Sequence, residues 1–165
     1  MAVYTEVSFD EAARFLGELN LGQLQSLEGC SGGIENTNYF ATTDRGAYVL
    51  TLFERLTFEQ LPFYLQLMRH LAQRGIVVPA PHANTQGELV LNVQGKPACV
   101  VDKLRGASEL KPGPVHCAQM GATLARMHLA GRDFALQHPK LRVLSWWNDT
   151  LPVVLPYLTD TQKTL

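Results

Sequence analysis

Apolar residues recur at helical spacing near the start of the chain, at Ala12, Phe15, Leu16 and Leu19, just after the capping-box pair Ser8 and Glu11. This rhythm predicts a helix over residues 9–19, closed by Gly22. The period then drops to two. Residues 24–29, 39–43 and 47–54 read as strands, the last alternating Tyr48, Leu50 and Leu52 with Val49, Thr51 and Phe53. Asp44, Arg45 and Gly46 make the turn between the second and third, where the glycine is expected to supply a positive φ. Leu61, Leu65, Met68 and Leu71 mark one face of a second helix over 61–74, entered through Pro62 and stopped by Gly75. Pro79 and Pro81 exclude helix, and a second hairpin follows, 88–93 against 98–104 across residues 94–97.

Past the break at residues 111–114, Val115, Ala118, Ala122, Ala125 and Leu129 predict a long helix over 115–130. Cys117, Gly121, Leu124 and His128 stand beside that row and widen the stripe expected to be buried. His128 is expected as a core histidine bonded to backbone, and Met120, Met127, Trp146 and Trp147 as core or interface packing. From residue 132 the pattern weakens, with Pro139, Pro152 and Pro156 expected to interrupt any helix. Thr159 and Gln162 form another capping box, the signature of a helix just beginning. The sequence therefore reads as a piece of a longer protein.

Composition narrows the classes. The chain has 165 residues, 46% hydrophobic and 18% charged, enough for one sizeable core and incompatible with disorder. Its net charge of -1, without any basic cluster, argues against nucleic acid as a partner. Neither a signal peptide nor a run of 18 apolar residues is present, so no membrane association is expected. Cys30, Cys99 and Cys117 are an odd, widely spaced set, which fits free thiols in the cytoplasm. The five histidines make no metal-ligand spacing, and no metal site is expected in the chain.

The chemistry sits between the first two strands. Residues 29–38 hold two adjacent glycines, Gly32 and Gly33, together with the side-chain donors Ser31, Asn36, Thr37 and Asn38. The segment lacks the Lys of a P-loop and the third Gly of a dinucleotide fingerprint. Two readings stay open: a phosphate cradle, or a long hairpin loop with a Gly-Gly turn, which composition alone favours.

The order of elements resembles the small lobe of protein-kinase-like phosphotransferases: an α+β fold with a five-stranded antiparallel sheet and flanking helices, followed by the start of a mainly helical large lobe. Several ordered segments also resemble the homoserine kinase family of the aminoglycoside-phosphotransferase-like superfamily. They are residues 33–40 (Gly-Ile-Glu-Asn-Thr-Asn-Tyr-Phe), 48–54 (Tyr-Val-Leu-Thr-Leu-Phe-Glu), 61–63, 79–81, 95–98 and 127–131.

The resemblance implies a nucleotide-binding lobe over residues 1–106 and the start of the large lobe over 107–165. It implies ATP with Mg2+ as cofactors and L-homoserine as the small-molecule substrate, phosphorylated on its hydroxyl on the route to threonine. Ser31, Gly32, Gly33, Glu35, Asn36, Thr37 and Asn38 would cover the phosphates. Val49 and Val101 would wall the base, and the Asp102 carbonyl and Leu104 amide would meet the adenine edge. Thr51 stands where the kinase pattern has a Lys on the third strand, and it brings no charge. Arg55 reads as a solvated strand-end charge first and a phosphate ligand second.

None of the three His-led dipeptides continues into a His-x-Asp loop, so no catalytic residue is expected within the chain, which alone would be inactive. Self-association through uncovered apolar surface is expected. The alternatives are a related choline, aminoglycoside or amino-alcohol kinase, or a non-catalytic nucleotide-binding module.

Overall fold

The computed structural model describes residues 5–32, 35–139 and 143–163, which divide into two compact units, 1–135 and 136–165. The first unit is built on a five-stranded antiparallel sheet: β1 (Leu24–Gly29), β2 (Asn36–Thr43), β3 (Ala47–Phe53), β4 (Leu91–Val93) and β5 (Lys96–Asp102), in the order β1-β2-β3-β5-β4. Helix α1 (Phe9–Glu18) covers one face. Its capping box forms as predicted, the Ser8 hydroxyl accepting the Glu11 amide at 3.2 Å while the Glu11 carboxylate accepts the Ser8 amide. Ala12, Phe15 and Leu16 pack there against Tyr39, Ala41, Leu50, Leu52 and Val100.

The other face carries a smaller cluster, in which Leu65 and Met68 of α2 (Leu61–Gln73) meet Val49, Phe53, Cys99 and Val101. Burial pushes the Cys99 thiol up to about 12, whereas Cys30 is half-buried and Cys117 exposed. A thiol reagent is thus expected to modify two cysteines in the native protein and the third only after denaturation. Three rapid equivalents would contradict this packing.

A polar cluster ties the start of the chain to the sheet. The Glu54 carboxylate pairs with Lys96 and accepts the hydroxyls of Thr5 and Thr37, both at 2.7 Å. Burial raises the Glu54 carboxyl, but the hydrogen bonds from Lys96, Thr37 and Thr5 outweigh it and hold the group below its ordinary value of 4.5. Because the folded carboxyl binds its proton more weakly than the unfolded one, this contribution is complete above the unfolded value and is lost as pH falls toward the lowered folded value. Glu54→Gln is expected to cost about 1–2 kcal/mol at pH 7 and less at pH 4, read by urea denaturation. An equal cost at both pH values would refute the ionised cluster.

Several elements differ from the sequence reading: β4 begins at Leu91 rather than residue 88 and β5 ends at Asp102 rather than residue 104, because ladder pairing extends only that far. β2 begins at Asn36, not at residue 39, because pairing with β3 continues through Asn38 opposite Thr51, Thr37 opposite Leu52 and Asn36 opposite Phe53. The second hairpin turns on two residues, Gln94 at φ 54° and Gly95 at φ 79°, so Lys96 and Pro97 already belong to β5. Both turn residues are left-handed, as a type I′ turn requires. Gly46 does not carry a positive φ; a Cβ there would lie 2.9 Å from the Tyr48 hydroxyl, so glycine serves close approach. Finally, α4 (Leu144–Val154) runs through Pro152; the ring removes the hydrogen bond its own N–H would have made, and the helix ends two residues later.

The expected burial of the long helix is also corrected. α3 (Pro114–Ala130) buries none of its residues: Val115 is 66% exposed, Met120 69%, Leu124 48% and Leu129 60%, and His128 is exposed rather than in a core. Trp147, 62% exposed, stacks edge-on with Trp146 in the second unit and is not core either. In the first unit the segment at the end of α3 is what docks. There His70 of α2 bonds the Ala130 carbonyl at 2.8 Å, Arg74 pairs with Asp133, and the Phe134 ring meets Phe63 and His70. In the second unit, α4 is followed by a 3-10 helix (Leu155–Tyr157) and α5 (Asp160–Lys163), where the Thr159 amide donates to the Gln162 side chain at 3.0 Å. No helix among the described residues is long and apolar enough to cross a membrane.

Candidate nucleotide site

Strand alternation sorts the predicted site residues onto two faces. Register places Phe40 opposite Val49 and Val49 opposite Val101, so these three side chains form one apolar row across β2, β3 and β5. The next row on that face joins Asn38, Thr51 and Cys99. Thr51 donates its hydroxyl to the Asn38 side-chain oxygen at 2.7 Å. The third-strand position that holds a Lys in kinases is thus neutral here, while the Asn38 side-chain nitrogen remains a donor without a partner among the described residues.

Thr37 points the other way. Its side chain is fully buried on the α1 face, where it accepts the Thr5 amide and donates to Glu54, so the hydroxyl is not available to a ligand on the Val49 side. Ser31 and Gly32 lie exposed in the loop after β1, whose mouth is closed by the Cys30 amide donating to the Asn38 carbonyl at 2.8 Å. Gly33 falls outside the described residues. Glu35 at the far end of the loop sits 3.8 Å from Arg55, a side chain that is 74% exposed.

β5 then leads into an extended segment. The Asp102 amide donates to the Ala80 carbonyl at 3.0 Å, and the Lys103 amide turns to the Ala47 carbonyl at 3.0 Å. Since the amide and carbonyl of one strand residue share a side, the Asp102 carbonyl faces the outer edge, away from β3. The Leu104 amide has no hydrogen-bond partner among the described residues, and Leu104 is 44% exposed. Residues 102–106 and 45–48 border an open groove of about 640 Å3, which the Phe40, Val49 and Val101 row does not line.

The structure therefore brings Val49, Thr51, Val101, Asn36 and Asn38 to one face, ending at an acceptor and a free donor on the Asp102–Lys103–Leu104 edge. Phe40 joins that face, with the Lys103 ammonium 4.0 Å from its ring centre. Sequence reasoning missed both residues; starting β2 at Asn36 would have placed 36, 38 and 40 together. Among the described residues no three metal-ligating side chains are grouped.

An antiparallel five-stranded sheet with a glycine-rich loop between its first two strands and a fifth strand leading out of the sheet is the plan of the small lobe in phosphotransferases, and the sequence agrees. Residues 26–165 match the phosphotransferase enzyme family, to which the chain belongs. More narrowly, it is 67% identical over 165 residues to the homoserine kinase of Polaromonas naphthalenivorans (strain CJ2), covering 100% of this chain and 52% of that protein. It is 53% identical to the homoserine kinase of Janthinobacterium sp. (strain Marseille), covering 100% of this chain and 51% of that protein. The chain thus spans about half the length of the curated relatives it matches.

Two solved structures share the fold. Amicoumacin kinase hAmiN, in complex with AMP-PNP, Ca2+ and Ami, has a TM-score of 0.63 at 20% identity, covering 94% of this chain and 50% of that one. Spectinomycin phosphotransferase APH(9)-Ia, in complex with ADP and spectinomycin, has a TM-score of 0.65 at 13% identity, covering 94% of this chain and 49% of that one.

Proposed function

We propose that this chain is the nucleotide-binding half of a cytoplasmic enzyme that transfers the γ-phosphoryl group of ATP to the hydroxyl of L-homoserine, giving O-phospho-L-homoserine. The observation that carries the nucleotide part is the Phe40, Val49 and Val101 row ending at the Asp102 carbonyl and the unpartnered Leu104 amide. A flat base lies on such a row and presents one donor and one acceptor to that edge. The 67% identity to a protein named homoserine kinase supports the acceptor.

In this reading Ser31, Gly32, Gly33, Glu35, Asn36 and Asn38 line the phosphate end, with Thr37 contributing backbone only. Asn38 supplies a neutral donor where other kinases use a lysine. When bound, Mg2+ would neutralise phosphate charge. Its ligands and the group that takes the acceptor proton are assigned to the other half of the protein. Residues 1–106 form the nucleotide lobe and 107–165 begin the helical lobe.

α3 favours this over a self-contained module. A helix apolar nearly all round is normally buried, and this one buries nothing. We assign its surface to contact with the remaining polypeptide, and in its absence to self-association. The test is ADP release by the full-length protein. L-homoserine should stimulate it strongly and choline or an aminoglycoside should not. Turnover with either alternative and none with homoserine would replace the acceptor.

A further inference from the structure

On the sheet face opposite the proposed base site, two side chains stand behind Asp102. His82 donates from Nε2 to the Asp102 carboxylate at 2.7 Å, and its ring meets Tyr48 edge-on with centroids 5.2 Å apart. Tyr48 is itself buried, its hydroxyl lying over Gly46 where a Cβ would stand only 2.9 Å away. The same residue also acts through its backbone, since the His82 amide donates to the Val100 carbonyl at 2.9 Å. Pro81 bridges Val101, and Ala80 accepts the Asp102 amide. Residues 80–82 thus form a short strap along the outer edge of β5, the edge on which the Asp102 carbonyl lies.

We infer that His82 is a positioning residue for nucleotide selection: it holds Asp102 from behind, so that its carboxylate stays off the base face and its carbonyl keeps a fixed direction toward the ligand. The inference rests on the reading of residues 102–104 as the base edge. Asp102 is the last residue of β5: its amide is held by Ala80 and it still stands opposite Tyr48, and the ladder ends after the Lys103 amide reaches Ala47, so the side chain is the part of Asp102 left for another group to hold. Half-exposed Asp102 needs a partner to remain in one rotamer, and His82 supplies both that partner and the register of the strap. Adenine offers a donor and an acceptor matching the Asp102 carbonyl and Leu104 amide, whereas guanine presents the reverse pair and needs a displaced backbone. A firmly held Asp102 therefore selects ATP over GTP.

The experiment is steady-state kinetics of the full-length protein with ATP and GTP, comparing wild type, His82→Ala and His82→Gln. Alanine removes the donor, and glutamine places an amide nitrogen near the position of Nε2. His82→Ala should raise the ATP KM about three- to tenfold, leave kcat within about twofold and lower the ATP-over-GTP preference by a similar factor. His82→Gln should restore most of both. A purely structural role would lower stability and active fraction alike for both nucleotides. If His82→Ala leaves the KM and the preference unchanged while wild type turns over ATP, the positioning role is refuted. If wild type uses no ATP at all, the base-edge reading itself fails.

Discussion

Leu104→Pro should weaken binding of a non-hydrolysable ATP analogue by about tenfold to a hundredfold, with little change in melting temperature. Leu104 lies outside helix and strand, is 44% exposed and offers an amide with no partner among the described residues. Proline deletes that donor and removes no hydrogen bond on which the fold depends, and residue 103 before it is not helical. The cost falls on the ligand: an adenine ring nitrogen that leaves water for a site without its donor forfeits a hydrogen bond. Calorimetry on the full-length protein reads the affinity, and thermal melting supplies the control. Unchanged affinity with an intact fold would remove Leu104 from the site.

The second large effect concerns α3, and its sign should reverse with context. Residues 1–165 alone expose Val115, Met120, Leu124 and Leu129 on one helix, more apolar surface than a soluble monomer ordinarily leaves open. Sedimentation velocity at micromolar concentration should show self-association, weakened about tenfold or more by the pair Met120→Ser and Leu124→Glu, which share one side of the helix. In the full-length protein the same pair should cost about 3–5 kcal/mol of stability, because a charge and a cavity would then enter packed surface. A monomeric 1–165 whose full-length counterpart is indifferent to both substitutions would mean that α3 faces water in its working form.

Most of the sheet was legible because its signals are local. Alternation marked β3, the Ser8 capping box started α1, and the chain order of helix, three strands, helix and two strands was read correctly, whereas the placing of β5 beside β3 was not. What escaped depends on tertiary partners. Asn36–Asn38 read as loop because glycine and asparagine dominate the segment, yet β3 was long enough to hold them in register. Gln94 takes a left-handed conformation that no sequence preference for glutamine announces. Pro152 was read as a breaker, yet α4 runs on for two residues past it.

The site was legible in composition but not in sidedness. Thr37 stands between two asparagines that face the proposed phosphates, and alternation sends its hydroxyl to Glu54 instead. Asp102 was placed inside a strand drawn to residue 104, and the His82 behind it lies 20 residues earlier, brought beside it by the strap along β5. The exposure of α3 has a different origin. Its pattern is that of a buried helix, yet none of its residues is buried among the described residues.

The most direct test of the account is a crystal structure of the full-length protein with a non-hydrolysable ATP analogue. The base should lie on Val49 and Val101, its edge within hydrogen-bond distance of the Asp102 carbonyl and the Leu104 amide, with the phosphates beneath residues 31–38. A nucleotide bound elsewhere, with the Leu104 amide left to water, would contradict it.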